Sequence, residues 1–129
     1  MARTRVLVAD AHTEIRRVVR EFFEAQGGYL VVGEASNGIQ AVDEVERLKP
    51  DLVVLDLELP LRNGLEATRL IKQRNAHTRV VVSTLFDDPL YRAKAHEVNV
   101  DGIVVKSSLK RSLESIFGNA QRRRDHWIP

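Results

Sequence analysis

The sequence predicts an α/β domain in which a parallel β-sheet is covered by helices on both faces. Short apolar runs rich in β-branched residues alternate with segments of helical periodicity, and this unit occurs five times along the chain. The apolar runs lack the polar–apolar alternation of half-exposed strands, so both faces of each strand are expected to be buried. Strands that alternate with helices in this way form parallel sheets.

The five predicted strands share a high content of valine, isoleucine and leucine. They are RVLVA at 5–9, YLVVGE at 29–34, DLVVLD at 51–56, RVVVST at 79–84 and GIVVK at 102–106. Such short runs, rich in β-branched residues, favour buried strands over helices.

The predicted helices follow the strands, and all except the fourth have a clear apolar face. In the first helix, apolar residues recur at i, i+3, i+4, i+7 and i+8, which places them on one side. The inward-facing residues are Ile15, Val18, Val19, Phe22 and Phe23 in the first helix, Ala41, Val42, Val45 and Leu48 in the second, Leu65, Thr68 and Ile71 in the third, and Leu109, Leu113, Ile116 and Phe117 in the last. The fourth, from about residue 88 to 98, is the least clearly periodic.

Composition predicts a soluble globular protein of one domain. The 129 residues are 43% apolar and 29% charged, which is ordinary for a folded domain. The formal net charge of +2 implies no general attraction to nucleic acid. The absence of cysteine excludes disulfides, thiolate metal sites and a cysteine nucleophile. Since no apolar run reaches membrane-spanning length and the N-terminus does not read as a signal peptide, we expect a cytoplasmic protein without a membrane partner.

Polar side chains stand where four of the predicted strands end. Asp10 follows the first strand, Asp56 ends the third, Thr84 ends the fourth and Lys106 ends the fifth. Sites in open parallel sheets form outside the carboxyl ends of the strands, so we expect these groups to gather at one edge. Glu58 adds a carboxylate two residues after Asp56. The sequence contains no glycine-rich nucleotide motif, so a phosphate cradle is not predicted.

Four segments at matching intervals carry a family resemblance. VLVADAH, DLVVLDLELPLRNGLEA, STLFDD and GIVVKS resemble the signature segments of the receiver domain of two-component response regulators. The similarity is greatest to the branch that usually precedes a helix-turn-helix DNA-binding domain. The resemblance implies a flavodoxin-like, doubly wound (βα)5 fold with strand order 2-1-3-4-5. We expect the receiver domain at residues 1–121 and a basic C-terminal tail at 122–129.

The resemblance also implies roles for the residues at the strand ends. Asp56 is expected to accept a phosphoryl group from a histidine kinase, a phosphotransfer protein or a small phosphodonor. Thr84 is expected to be the switch hydroxyl, Lys106 a contact of the phosphoryl oxygens, and Asp10 and Asp56 ligands of Mg²⁺. The chemistry asks for these residue types independently, because a carboxylate that attacks a phosphoryl group needs a hard cation and hydrogen-bond donors to neutralise the arriving charge.

The chain departs from the family pattern at the metal site. Receivers usually carry two adjacent acids after the first strand, and the second ligates Mg²⁺ directly, but here that position is Ala11. We hypothesise that the Glu58 carboxylate swings in and replaces the missing ligand, so that the predicted metal ligands are Asp10, Asp56 and Glu58. The alternative is that Glu58 points to solvent and only tunes the lifetime of the phosphoryl group. His12 is interpreted as a surface loop residue.

Two further departures affect signalling. Ile103 stands three residues before Lys106, where the family commonly has a tyrosine or phenylalanine whose rotamer changes together with the switch hydroxyl. Leu85 stands directly after Thr84, where a small residue or methionine is usual. The aromatic form of the switch is therefore unavailable, and Leu85 is expected to narrow access to Asp56. Transmission then depends on Thr84 and on backbone shifts in the loop after the fourth strand.

Three functions are compatible with these residues. The first is a phosphoacceptor that signals through the face formed by the fourth helix, the fifth strand and the fifth helix. The second, which Ala11 and Ile103 favour, is a degenerate receiver that acts as a phosphorylation-independent interaction or dimerisation module. The third, a small phosphatase with Asp56 as nucleophile, is disfavoured because Glu58 is an imperfect general acid. Expected partners are a histidine kinase or phosphotransfer protein and either a downstream protein or a DNA-binding output domain, and a homodimer is a further alternative.

Overall fold

The parallel sheet predicted from the sequence is present. In the computed structural model, which describes residues 2–118, the strands are β1 (Thr4–Ala9), β2 (Tyr29–Ala35), β3 (Leu52–Asp56), β4 (Arg79–Thr84) and β5 (Gly102–Val105). Within these residues they form one five-stranded sheet in the order β2-β1-β3-β4-β5, and every neighbouring pair is parallel. The predicted fold class and strand order are therefore confirmed.

The helices lie where the periodicity predicts them. They are α1 (Thr13–Gln26), α2 (Gly38–Leu48), α3 (Gly64–Arg74), α4 (Pro89–Glu97) and α5 (Leu109–Phe117). A short 3₁₀ helix at Lys106–Ser108 joins β5 to α5. The fifth strand is one residue shorter than predicted, because the ladder ends where Thr84, the last residue of β4, pairs with Val105.

Each face of the sheet carries its own hydrophobic core. Successive side chains of a strand point to opposite faces, so Val53 and Leu55 of β3 lie in one core and Leu52 and Val54 lie in the other. The first core is completed by side chains from α2, α3 and α4, and the second by side chains from α1 and α5. All four of these β3 side chains are at most 2% exposed. Burial on both faces is the physical reason for the unbroken apolar sequence of this strand.

Aromatic side chains fill the core between α1, α5 and the sheet. Phe23 is fully buried, and its ring centroid lies 5.0 Å from that of Phe117 and 4.9 Å from that of Tyr29. Complete burial of a phenylalanine side chain contributes about 1.5–3 kcal/mol relative to its exposure. The contact between Phe23 and Phe117 holds α1 and α5 together on one face of the sheet.

The Asn-Gly pair at the start of α3 fixes the loop that follows β3. The Asn63 side chain caps the helix by accepting a hydrogen bond of 3.0 Å from the Glu66 N–H. At Gly64, an added Cβ would lie 2.3 Å from the carbonyl oxygen of Asp56. Only glycine permits this approach, so α3 begins directly against the backbone of the strand end that carries Asp56.

The fourth helix is the least anchored part of the sheet's cover. In α4, all of whose residues are described, Ala95 is the only buried residue. Leu90 and Tyr91 on the same helix are 58% and 38% exposed. The weak periodicity predicted for this segment therefore corresponds to a helix that buries little of its own surface.

The ends of the predicted domain are covered only in part. Residues 119–129 lie outside the described residues, so the predicted domain boundary at 121 and the basic tail at 122–129 stay predictions. Over residues 2–118, no helix combines the length and the apolar character needed to cross a bilayer.

Candidate phosphoacceptor site

Parallel pairing brings the predicted site residues to one edge of the sheet. The strands β1, β3, β4 and β5 end at almost the same level, because their last residues pair across neighbouring strands. Asp10 follows β1, Asp56 ends β3, Thr84 ends β4 and Lys106 follows β5. The first three are buried, with 2%, 2% and 5% of their surface exposed, respectively.

Lys106 joins the two buried carboxylates. Its Nζ lies 2.6 Å from Asp10 Oδ2 and 3.0 Å from Asp56 Oδ2. The Lys106 side chain is 10% exposed and both aspartate side chains are 3% exposed. Burial by itself would lower the pKa of Lys106, but the contacts with Asp10 and Asp56 outweigh it and raise this pKa above its ordinary value. The ammonium therefore stays charged at neutral pH and compensates part of the buried negative charge.

Backbone donors orient the other oxygen of each carboxylate. The Glu58 N–H donates to Asp56 Oδ1 at 3.0 Å, and the His12 N–H donates to Asp10 Oδ1 at 2.8 Å. Both bonds run from an aspartate to the second residue after it, an Asx-turn arrangement that the short aspartate side chain permits. Each carboxylate thus has one oxygen toward Lys106 and the other held at the start of the following loop.

An arginine of α1 fixes the backbone at Asp10, a contact that the sequence did not predict. The Arg16 guanidinium donates to the Asp10 carbonyl oxygen at 2.6 Å and to Glu34 Oε1 on β2 at 2.8 Å. Arg20 pairs with the same glutamate. Periodicity placed Arg16 on the polar side of the helix, and only the packing of α1 against β1 and β2 turns it toward Asp10.

The site opens into a cleft of about 540 Å³ at the carboxyl edge of the sheet. Its lining is formed by His12, Ile15, Asp56, Glu58, Leu85 and Lys106. Leu85, one of these lining residues, has 48% of its surface exposed, and its expected effect on access to Asp56 stays a prediction.

Comparison with known proteins identifies the chain. A family model described as the response regulator receiver domain matches residues 6–117. The chain belongs to the response regulator receiver family. It is a receiver of two-component signalling, and it is 32% identical over 108 residues to the chemotaxis protein CheY of Halobacterium salinarum, covering 84% of this chain and 88% of that protein.

Solved receiver structures superpose closely on this one. A LuxR-family two-component response regulator from Aurantimonas sp. SI85-9A1 has a TM-score of 0.83 and 34% identity, with 89% of this chain and 82% of that chain covered. The receiver domain of the putative response regulator NarL from Mycobacterium tuberculosis has a TM-score of 0.83 and 26% identity, with 89% and 93% covered. The similarity to the LuxR and NarL branch agrees with the resemblance drawn from the sequence motifs.

Some relatives are much longer than the matching region. The receiver is 37% identical over 84 residues to the uncharacterized transcriptional regulatory protein YhcZ of Bacillus subtilis, a match that covers 65% of this chain but 39% of YhcZ. A protein-glutamate methylesterase/protein-glutamine glutaminase of Myxococcus xanthus is 41% identical over 91 residues, which cover 70% of this chain and 26% of that protein. The shared part is the receiver, so the activities named for the longer proteins are not transferred to this chain.

The potential metal ligands include one residue that the sequence did not single out. Asp10, His12 and Asp56 each offer a ligand atom, and these atoms all lie within 4.8 Å of one another. Glu58, the predicted replacement ligand, is exposed and lines the cleft without belonging to this group. His12 is a surface residue as predicted, since its side chain is 71% exposed, but its Nδ1 also lies 3.0 Å from Asp10 Oδ1. The Asp-x-His spacing was the available signal for this contact.

Proposed function

We propose that this receiver accepts a phosphoryl group on Asp56 from a histidine kinase, a phosphotransfer protein or a small phosphodonor. The observation that carries the proposal is the buried Asp56 carboxylate, which ends β3 3.0 Å from the Lys106 ammonium and lines the open cleft. In the transfer, an Asp56 oxygen forms a bond to phosphorus while the bond between phosphorus and the leaving group of the donor breaks. When the donor is a phosphohistidine, an imidazole leaves.

Lys106 is suited to compensate the charge that arrives with the phosphoryl group. Phosphoryl transfer is catalysed mainly by positioning and by electrostatic stabilisation of the equatorial oxygens. The ammonium already lies beside Asp56, and therefore little rearrangement is needed for it to reach an oxygen of the attached group. The Thr84 hydroxyl, at the end of the adjacent strand, is proposed as the second donor to these oxygens.

The two buried carboxylates fit a hard divalent cation, and we propose that Asp10 and Asp56 hold Mg²⁺ with Glu58 as a further oxygen ligand. When bound, the cation supplies positive charge next to the attacking carboxylate. Ala11 contributes no oxygen, so the support from Glu58 or from water determines the affinity. The exposed position of Glu58 at the cleft leaves its side chain free to turn inward.

The proposed output is a change in protein–protein contacts on the face formed by α4, β5 and α5. Thr84 precedes the loop that leads to α4, and the Leu85 carbonyl of this loop accepts a hydrogen bond of 3.1 Å from the Ser107 N–H, next to Lys106. Thr84 is next to the acceptor of this bond and Lys106 is next to its donor. A shift of either residue toward a phosphoryl group therefore changes this hydrogen bond. The lightly buried α4 yields most easily, and a coupling of about 1–3 kcal/mol between phosphorylation and partner binding is the usual range.

A degenerate receiver that works without phosphorylation is the competing function. It is supported by Ala11 in place of a metal-ligating acid and by Ile103, which is half-buried against the core instead of providing a mobile aromatic ring. In that case the α4–β5–α5 face would bind its partner, or a second copy of the chain, in a single conformation. The phosphorylation experiment described below separates the phosphoacceptor from the degenerate receiver.

Partners and location are part of the proposal. The relatives described as transcriptional regulators support a DNA-binding output domain or a separate downstream protein as the recipient of the signal. We place the protein in the cytoplasm, because histidine kinases present their phosphohistidine there. The receiver catalyses only its own phosphorylation and dephosphorylation in this scheme.

The test is incubation of the protein with acetyl phosphate and Mg²⁺, followed by intact mass measurement. The wild type should gain the mass of one phosphoryl group, and Asp56→Asn should gain none. Asp43→Asn, which changes an exposed aspartate on α2, is the matched control and should behave as the wild type. Absence of a mass gain in the wild type, under conditions that phosphorylate an ordinary receiver, would establish the degenerate function instead.

The role of Glu58 is tested by titrating Mg²⁺ into the wild type and into Glu58→Ala. A replacement ligand predicts weaker Mg²⁺ binding in the variant. Glu24→Ala, an exposed glutamate on α1, controls for the loss of one negative charge. Equal Mg²⁺ affinities in Glu58→Ala and Glu24→Ala would show that Glu58 is not a ligand.

A further inference from the structure

We propose that His12 is a nitrogen ligand of the cation at this site, so that the receiver prefers Mn²⁺ or Co²⁺ to Mg²⁺. The inference deepens the proposed function, on which it rests for the presence of a cation between Asp10 and Asp56. His12 would supply the nitrogen among ligands that are otherwise carboxylate oxygens. Ala11 removes an oxygen ligand, and the next residue of the chain brings an imidazole to the same carboxylate.

The separation of the donor atoms matches that of adjacent ligands in a coordination shell. Ligand atoms about 2.1 Å from a metal ion and at right angles to each other lie about 3.0 Å apart. The distance between Asp10 Oδ1 and His12 Nδ1 is 3.0 Å. One ion can therefore contact both atoms without a change in their spacing. Asp56 is the third donor, since one ligand atom from each of Asp10, His12 and Asp56 lies within 4.8 Å of the other two.

The remaining contacts of Asp10 leave this side of the carboxylate for an ion. Oδ2 lies toward Lys106, at 2.6 Å, whereas Oδ1 lies toward His12 and accepts a hydrogen bond from its backbone N–H at 2.8 Å. This bond anchors the main chain of His12 beside Asp10. The imidazole itself is 71% exposed, so small adjustments of its ring toward an ion sacrifice little packing.

The chemistry of the donor set determines the preferred ion. Mg²⁺ requires a nearly ideal octahedron of oxygen atoms and retains several waters, so that an imidazole adds little to its binding. Imidazole nitrogen suits borderline transition metals, whose affinities for mixed nitrogen and oxygen sites rise from Mn²⁺ to Co²⁺. Two carboxylates and one imidazole therefore favour Co²⁺ and Mn²⁺ over Mg²⁺. The simpler interpretation is that the ring only hydrogen-bonds to Asp10, and it predicts that His12→Ala leaves the ratio of Co²⁺ to Mg²⁺ affinity unchanged.

The test is calorimetric titration of the tag-free full chain with Mg²⁺, Mn²⁺ and Co²⁺ separately, without a phosphodonor. The variant is His12→Ala, and the matched control is His77→Ala, which removes an exposed histidine between α3 and β4. We expect His12→Ala to weaken Co²⁺ binding at least about tenfold, as loss of a metal's supporting groups does, and to affect Mg²⁺ binding less. We expect His77→Ala to retain the ratio of Co²⁺ to Mg²⁺ affinity found in the wild type.

A spectroscopic readout reports the nitrogen ligand directly. Pulsed electron paramagnetic resonance of bound Mn²⁺ should show coupling to an imidazole ¹⁴N in the wild type and in His77→Ala, and none in His12→Ala. Equal affinity ratios and the same ¹⁴N signal in His12→Ala and His77→Ala would overturn the assignment. Metal binding is measured without phosphorylation, so the two proposals can fail separately. If the protein never gains a phosphoryl group, the phosphoacceptor function is refuted. A metal preference that depends on His12 would still support the assignment of His12 as a ligand.

Discussion

Replacing Lys106 by methionine removes the positive charge between two buried carboxylates. Methionine retains most of the length of the side chain but leaves Asp10 and Asp56 facing each other without the ammonium that lies 2.6 Å and 3.0 Å from them. Since both aspartates are 2% exposed, water is a poor substitute for the missing cation. The variant should therefore be less stable than the wild type when no divalent cation is present.

The magnitude follows from the two distances. With an effective dielectric constant of about 20, unit charges separated by 2.6 Å and 3.0 Å attract each other by about 6 and about 5.5 kcal/mol, respectively. Desolvation of the buried groups offsets much of this attraction, and removal of one partner from a buried ion pair costs about 3–5 kcal/mol. We expect Lys106→Met to lower the free energy of unfolding by this amount, about 3–5 kcal/mol.

Urea unfolding at neutral pH in the presence of a chelator measures this loss. The matched control is Lys110→Met on α5, an exposed lysine whose replacement should change stability by less than about 0.5 kcal/mol. Added Mg²⁺ should reduce the difference between Lys106→Met and the wild type, because a cation bound to the carboxylates replaces the lost charge. A loss no larger than that of Lys110→Met would refute the argument that the ammonium compensates the two carboxylates.

Three further perturbations have directions fixed by the structure. Leu61 has a φ of 68° and is 76% exposed. Leu61→Gly should relieve about 1–2 kcal/mol of left-handed strain, from which about 0.5–1 kcal/mol is lost because glycine makes the unfolded chain freer. The net effect should be a small rise in the urea midpoint of unfolding, which the control Leu61→Ala should not show. Gly64→Ala would place a Cβ 2.3 Å from the Asp56 carbonyl oxygen and should lower stability by about 1–3 kcal/mol; unchanged unfolding would contradict this contact. The pKa of Lys106 is raised above its ordinary 10.5. The stability difference between the wild type and Lys106→Met should therefore hold through neutral pH and shrink only above about pH 10.5, until the folded protein has lost this proton. A difference that already shrinks between neutral pH and about pH 10.5 would contradict the raised pKa.

The strands and most helices were predictable because their signals are local. Burial on both faces imposes the apolar runs, and a single buried face imposes the helical spacing that placed Phe23 and Phe117 inward. The strand ends then located Asp56 and Lys106 at one edge, since parallel strands share their direction. The family motifs supplied the strand order, which periodicity alone leaves open. The end of β5 was misplaced by one residue, because the length of a strand depends on its partner's pairing.

Several contacts within the site depend on how separate helices and strands pack together, so no local sequence pattern predicts them. Arg16 has the spacing of a solvent-facing helix residue, yet the packing of α1 turns it onto the Asp10 carbonyl. Leu61, in the loop between β3 and α3, has a left-handed φ of 68°, which a residue with a branched side chain disfavours. Neither position carries a motif that would have revealed these contacts.

The sequence by itself determined which chemical groups stand at the edge of the sheet: two aspartates, a threonine and a lysine, with alanine in place of an acid. Tertiary structure alone decided which atoms meet there. Lys106 contacts both carboxylates, and the His12 ring reaches Asp10, while Glu58 remains exposed at the cleft. The physical reason is that the sheet fixes each backbone position, whereas the burial of like charges selects the partners that each side chain must find.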